Sequence, residues 1–523
     1  MADLHLGARP ATAEEIAAVA AVLGDDPAVV HDAPRAVRGG TRRRHDRRHL
    51  LLPALHALQR TAGWISPGGL DHVADVLQVP PAEAYGVATF YAMFSTTPPD
   101  VDGDIIHVCV DPVCRVAGGE ELAVAREAAG ERVERSPCLG RCERAPAVYV
   151  QGVGGPDPVT ADDGPPPVAA GPDTGAPLLA RVGTVDPNSL DAYRAAGGFD
   201  ALTRAVELGG RAVVDELEAA GLTGRGGAAF PTAVKWRAVA AEPGPRHIVD
   251  NGDESEPGTF KDRVLLEHDP FAVVEAMLVA SVATGAEHGW IYLRGEYPLA
   301  ARRLEAAVDQ CRAAGLLGAD RSGAGHPFDV EIRRGAGAYV CGEETALFAS
   351  IEGFRGEPRS KPPFPTTHGL FGRPTVVNNP ETLLGALAIV AGGAEAFRSR
   401  GTDGSPGTKL FCVAGSVARP GVVEVDFGTP LGAVIDAAGG VTGSGAPAAV
   451  LLGGAAGAFV GPDAIDLPLT FEDTRAVGLT LGSGAVTVFD TSVDLTDVLV
   501  RISAFFRDES CGQCVPCRIG TVR

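Results

Sequence analysis

Residues 224–236 read GRGGAAFPTAVKW. Glycine carries no Cβ, so its backbone N–H groups can approach a ligand closely and reach positive φ at little cost. Pro231 suits the first turn of a helix, and a loop feeding a helix N-terminus is a ready phosphate site. Lys235 falls in the first turns of that helix. Gly224, Gly226 and Ala229 formally match a dinucleotide fingerprint, but that fingerprint must follow a strand. The preceding AVVDELEAAGL, 212–222, has helical periodicity, so the Rossmann reading fails on context.

Three more polar segments accompany the loop. NGDESEPGTFKDR spans 251–263 and packs Asn251, Asp253, Glu254 and Glu256 into six residues. GAGAYVCGEETAL spans 335–347, with Glu343 and Glu344 opening a helix, and VNNPETL spans 377–383. One acidic run alone is a solvated face. Polar side chains flanked by Gly and Pro in three separate loops predict convergence on one polar ligand.

Seven of the ten cysteines form two groups. Cys109, Cys114, Cys138 and Cys142 are spaced C-x4-C-x23-C-x3-C, and Cys511, Cys514 and Cys517 lie in ESCGQCVPCR. Iron–sulfur clusters take four thiolates. The first group is complete. No cysteine or histidine follows Cys517, which predicts either a truncated chain or a last cluster short of one ligand. Zinc also uses C-x2-C pairs; it stays open, although the asymmetric spacing fits clusters better. Cys311, Cys341 and Cys412 read as small core residues.

The net charge of −21 argues against a general nucleic-acid binder, because phosphate binding is driven by Lys and Arg. The basic run Arg42-Arg43-Arg44 to Arg47-Arg48 reads as a solvated or partner-facing stretch. No uncharged apolar run is long enough to span a membrane, and no secretory leader is recognisable. Clustered cysteines in an unexported chain favour metal over disulfides, so a cytoplasmic location is expected.

Along the chain, 50–94 predicts short helices, 104–110 a strand ending near Cys109, 118–129 a helix and 147–150 a second strand. Residues 153–177, crowded with Pro, Gly and Asp, read as a linker. Helices dominate from 188 to about 240, and mixed α/β pattern runs to about 398. Residues 408–490 hold short strands around one helix, as in a β-grasp, and 493–507 is helical.

Together, GRGGAAFPTAVKW, NGDESEPGTFKDR, GAYVCGEETAL, VNNPETL and ESCGQCVPCR resemble the FMN- and NADH-binding subunit of respiratory complex I and its relatives in NAD-linked hydrogenases and formate dehydrogenases. The N-terminal part, with GVATFYAMF at 86–94 and four cysteines, resembles the thioredoxin-like [2Fe–2S] partner subunit. The resemblance implies a multidomain α/β fusion. A helical leader and [2Fe–2S] domain (1–152) precede the linker (153–177), an FMN- and NADH-binding domain (178–400), a β-grasp-like domain (401–490) and a truncated helical [4Fe–4S] domain (491–523).

It further implies that Gly224, Arg225, Gly226 and Gly227 line the FMN, with Lys235 beside both nucleotides. Asn251, Asp253, Glu254, Asn378, Asn379 and Thr382 would hold the ribityl and phosphate, and Tyr339, Gly342 and Glu343 would complete the flavin pocket. Phe230, Glu256, Glu344 and Phe364 would contact NADH. Cys109, Cys114, Cys138 and Cys142 would bind [2Fe–2S], and Cys511, Cys514 and Cys517 would give three of four [4Fe–4S] ligands. Ala229 and Ala233 stand where the family usually has glycine. The implied function is an NADH-oxidising or NAD-reducing diaphorase module. Its partner would be the iron–sulfur or catalytic subunit of a formate dehydrogenase, hydrogenase or complex I, with formate dehydrogenase favoured. The alternative is a non-catalytic structural or electron-carrying subunit.

Overall fold

The computed structural model describes residues 10–24, 47–158, 168–170, 175–318, 322–443 and 445–522. Arg42, Arg43 and Arg44 lie outside them. Arg48, expected to be solvated or partner-facing, pairs with Glu83 at 2.5 Å and lies 3.8 Å over the Phe354 ring.

The central sheet has four parallel strands, ordered Asp329–Arg334, His288–Leu293, His247–Gly252, Thr375–Asn378. Parallel strands need crossovers, and helices supply them. Pro270–Thr284, PFAVVEAMLVASVAT, is apolar all round and buried at every position but Val282, which marks an interior helix. It packs against Pro380–Gly392 and Asp200–Leu208.

A three-stranded sheet, ordered Val133–Ser136, Ile105–Cys109, Val148–Gln151, carries Cys109 at the end of its central strand, with the other three cysteines in the segments that connect its strands. The short helices Leu51–Ala62, Pro67–Val76 and Pro81–Ala88 precede it. Their apolar faces share one core with Tyr292, Phe348 and Ile351 of the central domain, so leader and central domain are packed as one body.

The six-stranded sheet runs Ala458–Val460, Pro447–Leu452, Ala485–Asp490, Thr408–Gly415, Gly421–Asp426, Val168–Ala170. Its last strand sits inside the stretch expected to be a linker and pairs parallel with Gly421–Asp426. Three residues between Pro/Gly-rich flanks give no periodic signal, and only the exposed sheet edge selects them. Leu495–Asp508 then leads to the final cysteines. No helix among the described residues is long and apolar enough to cross a membrane.

Candidate flavin and iron–sulfur site

Ligands of open parallel sheets bind beyond the carboxyl ends of the strands. Here all four strand ends deliver polar loops. His247–Gly252 runs into Asn251, Asp253 and Glu254; Thr375–Asn378 ends on Asn378 and Asn379; Asp329–Arg334 leads to Tyr339, Gly342 and Glu343. The fourth, His288–Leu293, ends on Arg294, Gly295 and Glu296, which the loop patterns missed. Their signal was available: a polar, glycine-containing turn directly after an apolar strand.

The glycine loop sits between the helices Gly210–Ala220 and Thr232–Ala241, as its context demanded. Arg225 donates its backbone N–H to Thr382 Oγ1 at 2.8 Å, which anchors the loop to the opposite segment. The Arg225 side chain does not line an open site. It is buried, donates to the Pro406 carbonyl at 2.9 Å and lies 4.6 Å over the Phe427 ring. Gly226 faces Asn379, whose Cβ would be 3.1 Å from any added methyl. Gly227 has φ +129°. Ala229 has φ +51°, so the backbone keeps a left-handed conformation although the residue is not glycine.

The acidic residues divide by what holds them. Asn251 Nδ2 donates to the Gly342 carbonyl at 2.9 Å and joins two of the loops. Asp253 accepts from Ser255 Oγ at 3.0 Å, and burial pushes its carboxyl up to about 7. Glu254 accepts the N–H groups of Asp262 and Arg263 at 3.0 and 2.9 Å, so it braces the start of the helix Lys261–His268. Burial, then the nearby Asp262, raises its carboxyl to about 8. Glu256 accepts from Tyr339 Oη at 2.5 Å and from the Ala456 N–H at 2.8 Å, bridging the central domain and the six-stranded sheet.

Lys235 donates to the Val377 carbonyl at 2.7 Å; burial lowers its pKa and Glu344 opposes the shift. Asn378 Oδ1 accepts from Trp236 Nε1 at 2.8 Å. Glu343 caps Glu344–Ile351 through the Thr345 and Ala346 N–H groups. Lys361 bridges Glu343 and Glu344 at 2.9 and 2.6 Å. Phe230 and Phe364 are 51% and 57% exposed, enough open ring face for a stacking partner.

The first four cysteines are all buried and come together. Cys138 Sγ and Cys142 Sγ are 3.6 Å apart, and Cys109 is in hydrogen-bonding reach of Cys114 and Cys138. Among the described residues no three Cys, His, Asp or Glu are spaced around one ion. Two irons with two thiolates each suit the donor set, because the ligands then need not meet at a point. N–H groups aimed at sulfur tune such clusters; Gly140 N–H reaches Cys138 Sγ and Ala147 N–H reaches Cys114 Sγ, both at 3.4 Å. Gly140, φ +64°, admits no side chain because Tyr297 Oη would lie 2.0 Å from its Cβ. Pro257 and Gly258 from the flavin segment, with Leu451 and Thr487 from the six-stranded sheet, close the site.

The terminal three differ. Cys511 is half-buried; Cys514 and Cys517 are exposed on the short helix Val515–Gly520 and its cap. Glu509, two residues before them, accepts the Tyr339 N–H at 2.8 Å, and Phe505 meets the Tyr339 ring at 5.0 Å. The run thus abuts the flavin turn. Cys311, Cys341 and Cys412 are buried in apolar clusters, and burial pushes the thiols of the first two up to about 12.

Four family models match in chain order. They are the thioredoxin-like [2Fe–2S] ferredoxin over 39–157, the Nuo51 FMN-binding domain over 217–387, the SLBB domain over 410–455, and the NADH-ubiquinone oxidoreductase-F iron–sulfur binding region over 497–523. The molecule is an NADH dehydrogenase-type flavin and iron–sulfur oxidoreductase that uses FMN, NADH, [2Fe–2S] and [4Fe–4S]. It is 43% identical over 346 residues to an F-type subunit of NADH-quinone oxidoreductase from Rhizobium meliloti, covering 66% of this chain and 82% of that one. It is 44% identical over 347 residues to the HndC protein of the NADP-reducing hydrogenase of Solidesulfovibrio fructosivorans, covering 65% and 70%. The chain belongs to the family of F-type NADH-quinone oxidoreductase subunits. A solved chain of an air-oxidised NAD+-reducing [NiFe]-hydrogenase superposes with TM-score 0.76 at 34% identity, over 91% of this chain and 84% of that one.

Proposed function

We propose that this chain is the NADH-side module of a cytoplasmic NAD-linked formate dehydrogenase, exchanging electrons between NADH and a partner subunit that carries the formate chemistry. Bound FMN would supply the hydride-accepting and one-electron chemistry that links NADH to iron–sulfur clusters. The protein's part is placement. In this reading the loop 224–227 and Thr382 hold the flavin phosphate and ribityl with Asn251, Asp253, Asn378 and Asn379. Glu254 fixes the segment that carries them. Tyr339, Gly342 and Glu343 border the flavin ring. Phe230 and Phe364 stack on NADH while Lys235, Glu256 and Glu344 orient its polar groups. Cys109, Cys114, Cys138 and Cys142 ligate the first cluster; Cys511, Cys514 and Cys517 ligate the second. No side chain need act as acid or base for hydride transfer.

The observation that carries the reading is the delivery of polar loops from all four parallel strand ends beside the glycine loop. Glu344→Ala is expected to weaken NADH-driven flavin bleaching several-fold with FMN content retained. Unchanged kinetics would remove Glu344 from the nucleotide site.

Union of both modules in one chain supports a diaphorase of a soluble metalloenzyme over complex I. The hydrogenase likeness, spanning both modules, favours a second reading in which the partner activates hydrogen. Purifying the native complex and assaying NAD+ reduction by formate and by hydrogen separates them: formate-driven turnover supports the first, hydrogen-driven turnover the second.

A further inference from the structure

The cysteine-bearing loop 138–142 is held from outside its own domain. Cys138 donates its N–H to Asp111 Oδ2 at 2.6 Å, and its carbonyl accepts from Arg294 Nη2 at 2.5 Å. Arg294 is 3% exposed, and its other terminal nitrogen, Nη1, donates to the Glu254 carbonyl at 2.6 Å. One guanidinium therefore spans the peptide of a proposed cluster ligand and the peptide of the flavin segment. Glu296 pairs with it at 2.7 Å, is 5% exposed, and its second carboxylate oxygen has no hydrogen-bond partner among the described residues.

Two further charged groups touch the loop, and each is shared with partners of its own. Arg263 donates to the Gly140 carbonyl but is shared between Glu143 and Glu267. Asp111 is paired with Arg501 at 2.8 Å. Arg294 is the cation whose own fork touches the ligand peptide.

We propose that Arg294 and Glu296 form a positioning pair that sets the reduction potential of the [2Fe–2S] cluster, the arginine raising it and the glutamate holding it down. Reduction places one electron, and so one more negative charge, on a site already carrying four thiolates. A buried cation on the peptide of a ligand favours that state, because the low local dielectric leaves its field poorly screened. Net charge and hydrogen bonding near the sulfurs are the protein's means of shifting such potentials. The inference rests on Cys138 as a cluster ligand.

The test is an EPR-monitored redox titration of the full chain with reconstituted clusters, comparing wild type with Arg294→Met, Arg294→Lys and Glu296→Gln. FMN content and melting temperature are followed in parallel. The midpoint is expected to fall in Arg294→Met, rise in Glu296→Gln and stay near wild type in Arg294→Lys. Equal midpoints in all four proteins, or shifts of the same sign in the Met and Gln variants, would overturn the proposal. Should Arg294→Met not fold, the isosteric Glu296→Gln decides alone, an unchanged midpoint counting against. Absence of any [2Fe–2S] signal from the wild type would instead reject the ligand assignment on which the inference rests.

Discussion

The two cysteine groups solve the same ligand problem in opposite ways. Cys109, Cys114, Cys138 and Cys142 are buried, and three other parts of the chain, at Pro257 and Gly258, Leu451 and Thr487, close around them. Cys511, Cys514 and Cys517 lie within seven residues, two of them exposed, and Glu509, Phe505 and Phe506 tie the run to the flavin turn. The first group takes its geometry from tertiary packing, the second from spacing alone. Local ligands can be read from sequence; the groups that hold distant ligands cannot.

The largest expected effect separates the groups directly. Binding free energy at a structural metal site adds to folding free energy, so Cys138→Ser should abolish the [2Fe–2S] EPR signal and lower the melting temperature by several degrees. Cys514→Ser should remove the second cluster's signal and leave the melting temperature nearly unchanged, because its side chain packs against little. Equal falls in melting temperature would break the comparison.

A smaller effect distinguishes the two ion pairs that tie Leu495–Asp508 to the first cysteine domain. Arg115 holds Asp497 at 2.5 Å, but both side chains are about a third or more exposed, and such pairs contribute under about 1 kcal/mol. Arg501 holds Asp111, whose side chain is 3% exposed. Stranding a buried carboxylate costs about 3 kcal/mol. The cost should depend on pH. Burial raises Asp111 to about 7 while Arg501 opposes that shift. A carboxyl raised above its unfolded pKa costs stability as pH climbs from the unfolded value to the folded one. Removing Arg501 raises Asp111 further, so Arg501→Ala should match wild type near pH 5 and fall below it above about pH 7. Chemical denaturation of Arg501→Ala and Arg115→Ala at both pH values tests this; equal losses at both would refute it.

The same division governs what the sequence disclosed. The two cysteine groups, the glycine loop and three strand-end segments stood out in the sequence because their chemistry is local: thiolate spacing, or Gly and Pro beside acidic residues. Arg294 was not, because it meets Cys138 across 156 residues and no periodicity relates them. Arg501 and Asp111 are 390 residues apart. Glu254 and Glu256 were legible as polar residues of the site, but their backbone partners were not. One receives the start of a helix, the other an N–H from the six-stranded sheet. The short strand Val168–Ala170 is set wholly by the edge it joins.

The smallest effect probes the local side of the comparison. Ala229 stands where the family resemblance implies glycine, and its backbone has φ +51°. Its conformation is thus dictated by the loop and borne by the residue. A non-glycine residue in this region is strained by about 1–2 kcal/mol. Glycine would remove that strain but loosen the unfolded chain, which offsets about 0.4–1 kcal/mol. Ala229→Gly should therefore stabilise the protein by about 1 kcal/mol or less, seen as a modest rise in melting temperature. FMN dissociation should slow, because the loop reaches its bound shape without strain, while the [2Fe–2S] midpoint stays fixed. A loss of stability would mean that the methyl group packs productively, and that even this loop is shaped by tertiary contacts rather than by its own glycines.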